Sequence, residues 1–301
     1  MVDRSTVSSL PQRESFVPSS ARFVADPIRA SVIPNLEELP DYAASLLSYH
    51  RSHANTLAGM IDALPIQEGQ RWLDVATGDG TYAMLLAAKK AEVVAVDSDD
   101  RYLALATKRA QARGVHVDFR NGDAYELPFA DAELDGAFCA QSFHDLEDAP
   151  RVMAEMKRVV RRGGYVAVME NDSLHHLLLP WPADLELKLR SAQLSALSSA
   201  QGDESRYYLA RRLVPLFESQ GLTDVQEQSF TTHCRAPLSK DERCFLEHQL
   251  TALFRMVESR LAREDRDSAY AYCTPGEPGY LLDQPGFSAT ILDFLAWGRV
   301  P

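Results

Sequence analysis

Four cysteines in 301 residues, Cys139, Cys234, Cys244 and Cys273, stand without CxxC spacing or paired histidines nearby, which argues against a disulfide framework or a zinc knuckle. They read as reduced thiols of a cytoplasmic protein. Long apolar runs are missing too. None approaches the roughly 18 to 20 residues that span a bilayer, and the opening MVDRSTVSSLPQRESF lacks the apolar centre of a secretory signal. Membrane insertion and export are therefore not expected. Positive charge is in short supply: 31 Lys and Arg face 43 Asp and Glu, a formal net charge of −12 that repels phosphate backbones and anionic lipid. Nucleic acid is accordingly not an expected partner. With only 15 Gly and 16 Pro, and 46% hydrophobic residues, the composition excludes disordered and fibrous classes and leaves a chain able to bury a core.

Residues 1 to about 40 hold Ser, Pro and charge without sustained periodicity and are assigned as a tail and lid-like arm. From Asp41 to Leu64 the spacing of Leu46, Leu47, His50, Leu57 and Met60 predicts one helix, stopped by Pro65. Apolar strands then alternate with amphipathic helices: RWLDVA, a helix over Tyr82–Lys90, VVAVD, a helix over Arg101–Arg113, VHVDF, DGAFCA, a helix over Arg151–Arg161, and YVAVME. That rhythm predicts an α/β fold with a parallel sheet. In the fourth unit Asp148 and Pro150 mark a helix start, Gly163 and Gly164 follow its end, and Lys157, Arg158, Arg161 and Arg162 complement the helix dipole. Beyond Glu170 the alternation breaks. A helical insertion, a helix over Tyr207–Gln220, a strand at VQEQSFTTH, a long helix over Lys240–Glu264 and a closing strand ATILDFLAWGRV are expected, with 41–301 forming one domain carrying inserts at about 173–205 and 235–285.

The segment Leu73-Asp74-Val75-Ala76-Thr77-Gly78-Asp79-Gly80-Thr81 is a strand ending in a glycine turn that opens a helix, where a ligand can approach backbone and unpaired N–H groups. Gly78 to Ala83 also fits the GxGxxA form of a dinucleotide fingerprint, so a nicotinamide enzyme and a merely structural turn both stand as readings. Asp97 ends the next strand nineteen residues after Gly78, the spacing at which an acid meets ribose hydroxyls. Asp97, Asp99 and Asp100 also suit helix capping.

Downstream come Asn121-Gly122-Asp123-Ala124 and LPFADAELDGAF. With LDVATGDG, VAVD and HDLEDAPRVMAEMKRVVRRGGYVAV in the same order and spacing, residues 45 to 170 resemble the class I S-adenosylmethionine-dependent methyltransferases, in particular the small-molecule branch that includes the ubiquinone and menaquinone biosynthesis enzymes. The resemblance implies a Rossmann-like, mostly parallel seven-stranded sheet with helices on both faces, an antiparallel edge formed by the last strands, and helical inserts forming a lid. It implies S-adenosylmethionine as cofactor, with Asp74, Ala76, Gly78 and Gly80 around its methionine part, Asp97 on its ribose, and Asp123 with Ala124 at its adenine. The family usually has Gly where this chain has Ala76. The implied activity is methyl transfer to a small organic acceptor. A protein that binds the cofactor without methylating, cyclase-like or regulatory, is the alternative, and an NAD(P)-dependent oxidoreductase is weakened because the dinucleotide fold does not call for LPFADAELDGAF.

Acceptor chemistry is expected beyond the fourth and fifth strands, since ligands of open α/β sheets bind at the strands' carboxyl ends. Gln141 there is assigned to the cofactor's methionine part. His144, Glu170 and His175 are the candidate acid–base groups, with loop anchoring and surface polarity as their rival roles. Adjacent His175 and His176 cannot share a helix face, so no metal is expected. On the entering helix, among Tyr49, His50, Arg51 and His53, Arg51 is the cation assigned to the cofactor carboxylate, against a solvent-facing role.

Overall fold

A computed structural model describes residues 43–172, 176–199 and 209–301. The expected N-terminal arm and His175 lie outside the described residues. Strands β1 (Arg71–Val75), β2 (Glu92–Asp97), β3 (Asp118–Asn121), β4 (Leu134–Ala140) and β5 (Val160–Asn171) run parallel in the order β3-β2-β1-β4-β5. Helices α3 (Thr81–Ala88), α4 (Asp100–Ala112) and α5 (Ala149–Val159) make the crossovers. The inner strands are buried on both faces, which is why they read as unbroken apolar runs. Successive side chains alternate between two cores. Trp72, Tyr82, Leu86, Ala95 and Phe138 pack on one face, while Leu73, Val75, Val94, Cys139, Met153 and Met156 pack on the other.

The far side of the sheet carries the antiparallel edge expected of the last strands: β8 (Ser288–Arg299) pairs antiparallel with β5 on one side and with β7 (Thr223–Arg235) on the other. The described residues also give eight strands, not seven. β5 pairs only with Asp293–Arg299 of β8, so the remaining N–H and C=O groups at Ser288–Thr290 are left to β6 (Leu177–Leu179), which pairs there.

The single helix expected over residues 41–64 is two, α1 (Ala43–Ser52) and α2 (Ala54–Ala63). The Ser52 hydroxyl donates to the carbonyls of Ser48 and Tyr49 at 2.8 and 3.1 Å, competing with the helical ladder where the axis turns at His53. The long helix expected over 240–264 ends sooner. α8 (Lys240–Val257) opens on a capping box formed by Ser239 and Glu242, then gives way to one 3₁₀ turn and α9 (Arg263–Cys273). That reversal lets α8, α9 and α6 (Ala183–Ser199) share a small core of Leu185, Leu189, Val257 and Ala269. α7 (Leu213–Ser219) caps the opposite core through Leu213 and Phe217.

Close packing at the sheet centre is testable at Gly136, where an added Cβ would lie 2.5 Å from the Trp72 ring. Gly136→Ala is expected to destabilise by about 1–3 kcal/mol through overpacking. Gly59→Ala, inside α2 with nothing within 4 Å, is expected to stabilise by about 0.5–1 kcal/mol. Urea unfolding checks both, and a Gly136→Ala protein as stable as the wild type would contradict the packing.

Candidate active site

Strand order reverses between β1 and β4, and the crevice at such a point lies beyond the strands' carboxyl ends. Here β1 leads into the turn Ala76–Gly80. Ala76, Gly78 and Gly80 all take left-handed backbone, with φ of 55°, 52° and 76°. The preference for Gly at the first of these positions thus has a physical cause, because a left-handed alanine costs about 1–2 kcal/mol. Gly78 is open, its nearest neighbour being the Leu46 side chain at 3.8 Å, so a ligand can approach the backbone there. Gly80 differs from expectation: a Cβ would lie 2.8 Å from that of Ala106, so the residue serves the approach of α4 rather than a ligand.

Three carboxylates surround this turn, each held differently. Asp74, expected against the cofactor, points into the protein, accepts the Thr77 hydroxyl at 2.6 Å, and is lifted by burial to about 7. Asp97 at the end of β2 accepts the Gly78 N–H at 2.8 Å and the Asp99 N–H at 2.9 Å, and burial raises its pKa. Asp99 caps α4 by accepting the Arg101 N–H.

Asp79 is wholly buried, yet it stays charged. Burial alone would raise its pKa, but His50 Nδ1 at 2.9 Å and the Arg109 guanidinium at 2.6 Å reverse that and hold it far below the usual carboxylate range. Its other oxygen accepts the Thr81 N–H at the start of α3. Arg109 also donates to the Asp79 carbonyl and the Thr81 hydroxyl, so α1, α4 and the turn are tied at one point.

Beyond β4 and β5 a cleft of about 350 Å³ is lined by Tyr49, Gln141, His144, Glu170, Phe245 and His248, among others. The fold joins two residues that were assigned separately: His144 Nδ1 lies 2.8 Å from a Glu170 oxygen. The other Glu170 oxygen accepts the Ser142 and Phe143 N–H groups, so this buried carboxylate is fully engaged. Burial works against a charged His144, but Glu170, aided by Asp145 at 3.5 Å, outweighs it and lifts the imidazole to about 9. The ring is a cation at neutral pH. Its Nδ1–H is committed to Glu170, and with 37% of the side chain exposed it remains open to the cleft.

Gln141, at a φ of 51°, also faces the cleft. Asp123 is exposed and accepts the Tyr125 N–H, with Ala124 half-buried beside it. Arg51 is turned away from its assigned role toward Asp241 of α8 at 3.4 Å, and its neighbour His50 meets the turn instead. Arg109 and Asp293 were not found from the sequence. The acid within the glycine turn was a visible signal for a partner cation, but nothing local marks a residue thirty positions away. The donor and acceptor set nonetheless fits an adenosine-bearing cofactor: an acid at the β2 end for a diol, an open glycine turn, and a polar loop after β3.

Comparison with known proteins agrees with this geometry. Residues 73–168 match the family described as methyltransferase domain. Over 103 residues the chain is 40% identical to the demethylmenaquinone methyltransferase of Thermus thermophilus, covering 34% of this chain and 47% of that protein. It is 34% identical over 149 residues to the 27-O-demethylrifamycin SV methyltransferase of Amycolatopsis mediterranei, covering 48% of this chain and 52% of that one. The chain thus spans about half the length of these two relatives. The YcgJ protein from Bacillus subtilis has a similar fold, with a TM-score of 0.53 at 21% identity over 82% of this chain and 98% of that one. Residues 73–168 thus carry the sequence pattern of a methyltransferase domain. The nicotinamide reading of the turn is not favoured.

Two measurements test the site's electrostatics. Arg109→Met leaves buried Asp79 without its guanidinium partner and is expected to destabilise by about 3–5 kcal/mol in chemical unfolding; a loss below 1 kcal/mol would contradict the clamp. His144 is raised by folding, so its stabilisation is complete below the unfolded value of about 6.5 and is lost as pH rises through about 9. The stability difference between wild type and His144→Gln is expected to shrink across that window. A difference that is flat with pH would reject the His144–Glu170 ion pair.

Proposed function

We propose that this protein is an S-adenosylmethionine-dependent methyltransferase acting on a small organic acceptor bound in the cleft beside β4 and β5. The observation that carries this reading is the His144–Glu170 pair, which opens onto that cleft one strand away from the glycine turn and Asp97. The sulfonium of the bound cofactor supplies an activated methyl group for in-line displacement, so the chain's task is chiefly to hold a nucleophile in line, an effect worth about 7–11 kcal/mol. Asp97 is assigned the ribose hydroxyls, and the loop at Asp123 and Ala124 the adenine. The open turn over Gly78 is assigned the methionine part.

His144 is assigned the acceptor's proton. Glu170 fixes Nδ1 as a donor, and Nε2, 3.5 Å from the exposed Asp145 carboxylate, is assigned to the acceptor. As an imidazolium it stabilises a developing oxyanion, and as a neutral ring it accepts a proton from a hydroxyl, contributing about 10²–10⁴ in rate. α8 supplies Phe245, His248 and Gln249 to the cleft wall and is assigned, with the insert before it, the part of a lid excluding water. The relatives named as methyltransferases of a quinone precursor and of an antibiotic support a small acceptor for this chain as well.

Titration calorimetry with S-adenosylmethionine, S-adenosylhomocysteine and NAD(H) tests the reading, followed by an acceptor screen with labelled methyl donor. Tight binding of the two sulfur ligands alone is expected; NAD(H) binding alone, or a bound cofactor that never gives up its methyl group to any acceptor screened, counts against it. Asp97→Ala is expected to weaken cofactor binding by about 1.5–3 kcal/mol. His144→Ala is expected to spare cofactor affinity and lower turnover, while wild-type turnover of a hydroxyl acceptor rises with pH toward about 9 as the ring loses its proton. Equal turnover by His144→Ala would remove that residue from the reaction.

A further inference from the structure

A second cavity adjoins the acceptor cleft. It holds about 100 Å³ between β6, β8, α6 and α8, with Leu178, Leu189, Leu246, Leu253, Met256 and Ile291 among its apolar walls. Gln249 of α8 lines both spaces, so they meet at its side chain. Helical spacing lets one helix wall two rooms. Phe245, His248 and Gln249 form the stripe toward the cleft, while Leu246, Gln249, Leu253 and Met256 form the next stripe, toward the cavity.

Several polar groups around the cavity are already engaged. His176 Nδ1 accepts the Leu292 N–H, so its Nε2–H donates to the Asn171 carbonyl oxygen at 2.8 Å. Asn171, on the cleft side, gives its amide nitrogen to the buried Asp293 at 2.9 Å. Glu186 and Arg190, one turn apart on α6, pair with each other at 3.6 Å. Gln193 is different. It is 7% exposed, it lines the cavity, and its amide oxygen is buried without a hydrogen-bond partner. The face of α6 that carries Glu186, Leu189 and Arg190 also carries Gln193, at i, i+3, i+4 and i+7, so helix geometry puts the amide in the cavity wall. A buried acceptor of this kind is costly to keep unless a donor reaches it.

We propose that this cavity receives a side arm of the methyl acceptor: a short apolar branch ending in a neutral hydrogen-bond donor, a hydroxyl or amide N–H, which Gln193 Oε1 accepts. The assignment rests on the small-acceptor reading of the cleft above. Apolar walls suit hydrocarbon, and the volume suits about three or four groups the size of a water or a methylene. The orphaned oxygen accepts and never donates, so the arm ends in a donor. A charged end is disfavoured, because Glu186 and Arg190 already neutralise each other in the cavity wall. The acceptor class is a molecule whose reacting group sits at His144 and whose donor-tipped branch passes Gln249.

Two measurements on the full chain test this. The first needs no acceptor: protein with isotopically labelled methionine methyl groups is titrated by NMR with butan-1-ol and with its donorless isomer 1-methoxypropane. Butan-1-ol is expected to shift the Met256 methyl signal and to bind about fivefold tighter than the isomer, and Gln193→Leu is expected to erase that preference. The second is a screen, with labelled methyl donor, of hydroxyl acceptors with and without such an arm. Acceptors with a hydroxyl-tipped arm are expected to lead and to lose about tenfold in kcat/KM in Gln193→Leu, while armless acceptors stay within about twofold. Leu253→Trp, which fills the cavity from α8, is expected to abolish butan-1-ol binding and carries the comparison where Gln193→Leu does not fold. An unmoved Met256 signal, or equal affinity for the two isomers, would overturn the role of Gln193. Leading acceptors that lack an arm, or that are indifferent to Gln193→Leu, would overturn the arm assignment and leave methyl transfer standing. Absence of transfer to any acceptor, with the cofactor bound, would overturn both.

Discussion

The carboxylate of Asp79 holds a full negative charge away from water, and the geometry of the glycine turn depends on how that charge is met. His50 reaches it from α1 and Arg109 from α4, at 2.9 and 2.6 Å. The cost of enclosing an ion is offset only when its partners are close and its remaining lone pairs are satisfied. Here the Thr81 N–H completes the set at the start of α3. Two helices distant in sequence, α1 and α4, are therefore drawn to the tip of one turn, and three left-handed residues in five keep that turn tight. The open space over Gly78 and the position of Asp97 follow from this clamp, because Asp97 is held by the Gly78 N–H.

Acidic groups at the sheet's carboxyl end divide into distinct environments. Asp79 is neutralised by cations and stays charged; Asp74 is buried with a hydroxyl partner and pushed toward the neutral form. Glu170 accepts two backbone N–H groups and the His144 ring, which gives the cleft a cation backed by a fixed carboxylate. Asp293 collects donors from the other face. Separation of neighbouring titratable groups in this manner is how one site holds ions of both signs at neutral pH. A methyl-transfer site needs few reacting groups, so most of these residues act by orientation rather than by proton transfer.

The parallel core was legible in the sequence because its strands are short apolar runs punctuated by glycine turns, and the helices between them carry clear caps such as Asp99 and Asp148. His144 and Glu170 were legible as candidates from their place after β4 and β5, but their contact across 26 residues was not. The kink at Ser52 and the additional strand β6 are not legible in the sequence. Helical spacing does not register a hydroxyl competing for carbonyls, and strand order beyond β5 is decided by pairing between segments more than a hundred residues apart. The sequence reading assigns Arg51, on the helix entering the sheet, to the cofactor carboxylate. Side-chain direction on a helix decides such contacts, and one position along the helix was enough to send Arg51 to Asp241 and His50 to Asp79.

The most direct test of the central claim is a crystal structure of the protein with S-adenosylhomocysteine. The account predicts the ribose hydroxyls on the Asp97 carboxylate, the sulfur over the open turn at Gly78, and an unoccupied path from that sulfur to His144 Nε2. A ligand bound with its ribose away from Asp97, or with its sulfur shielded from the cleft of Tyr49, His144 and Glu170, would contradict it.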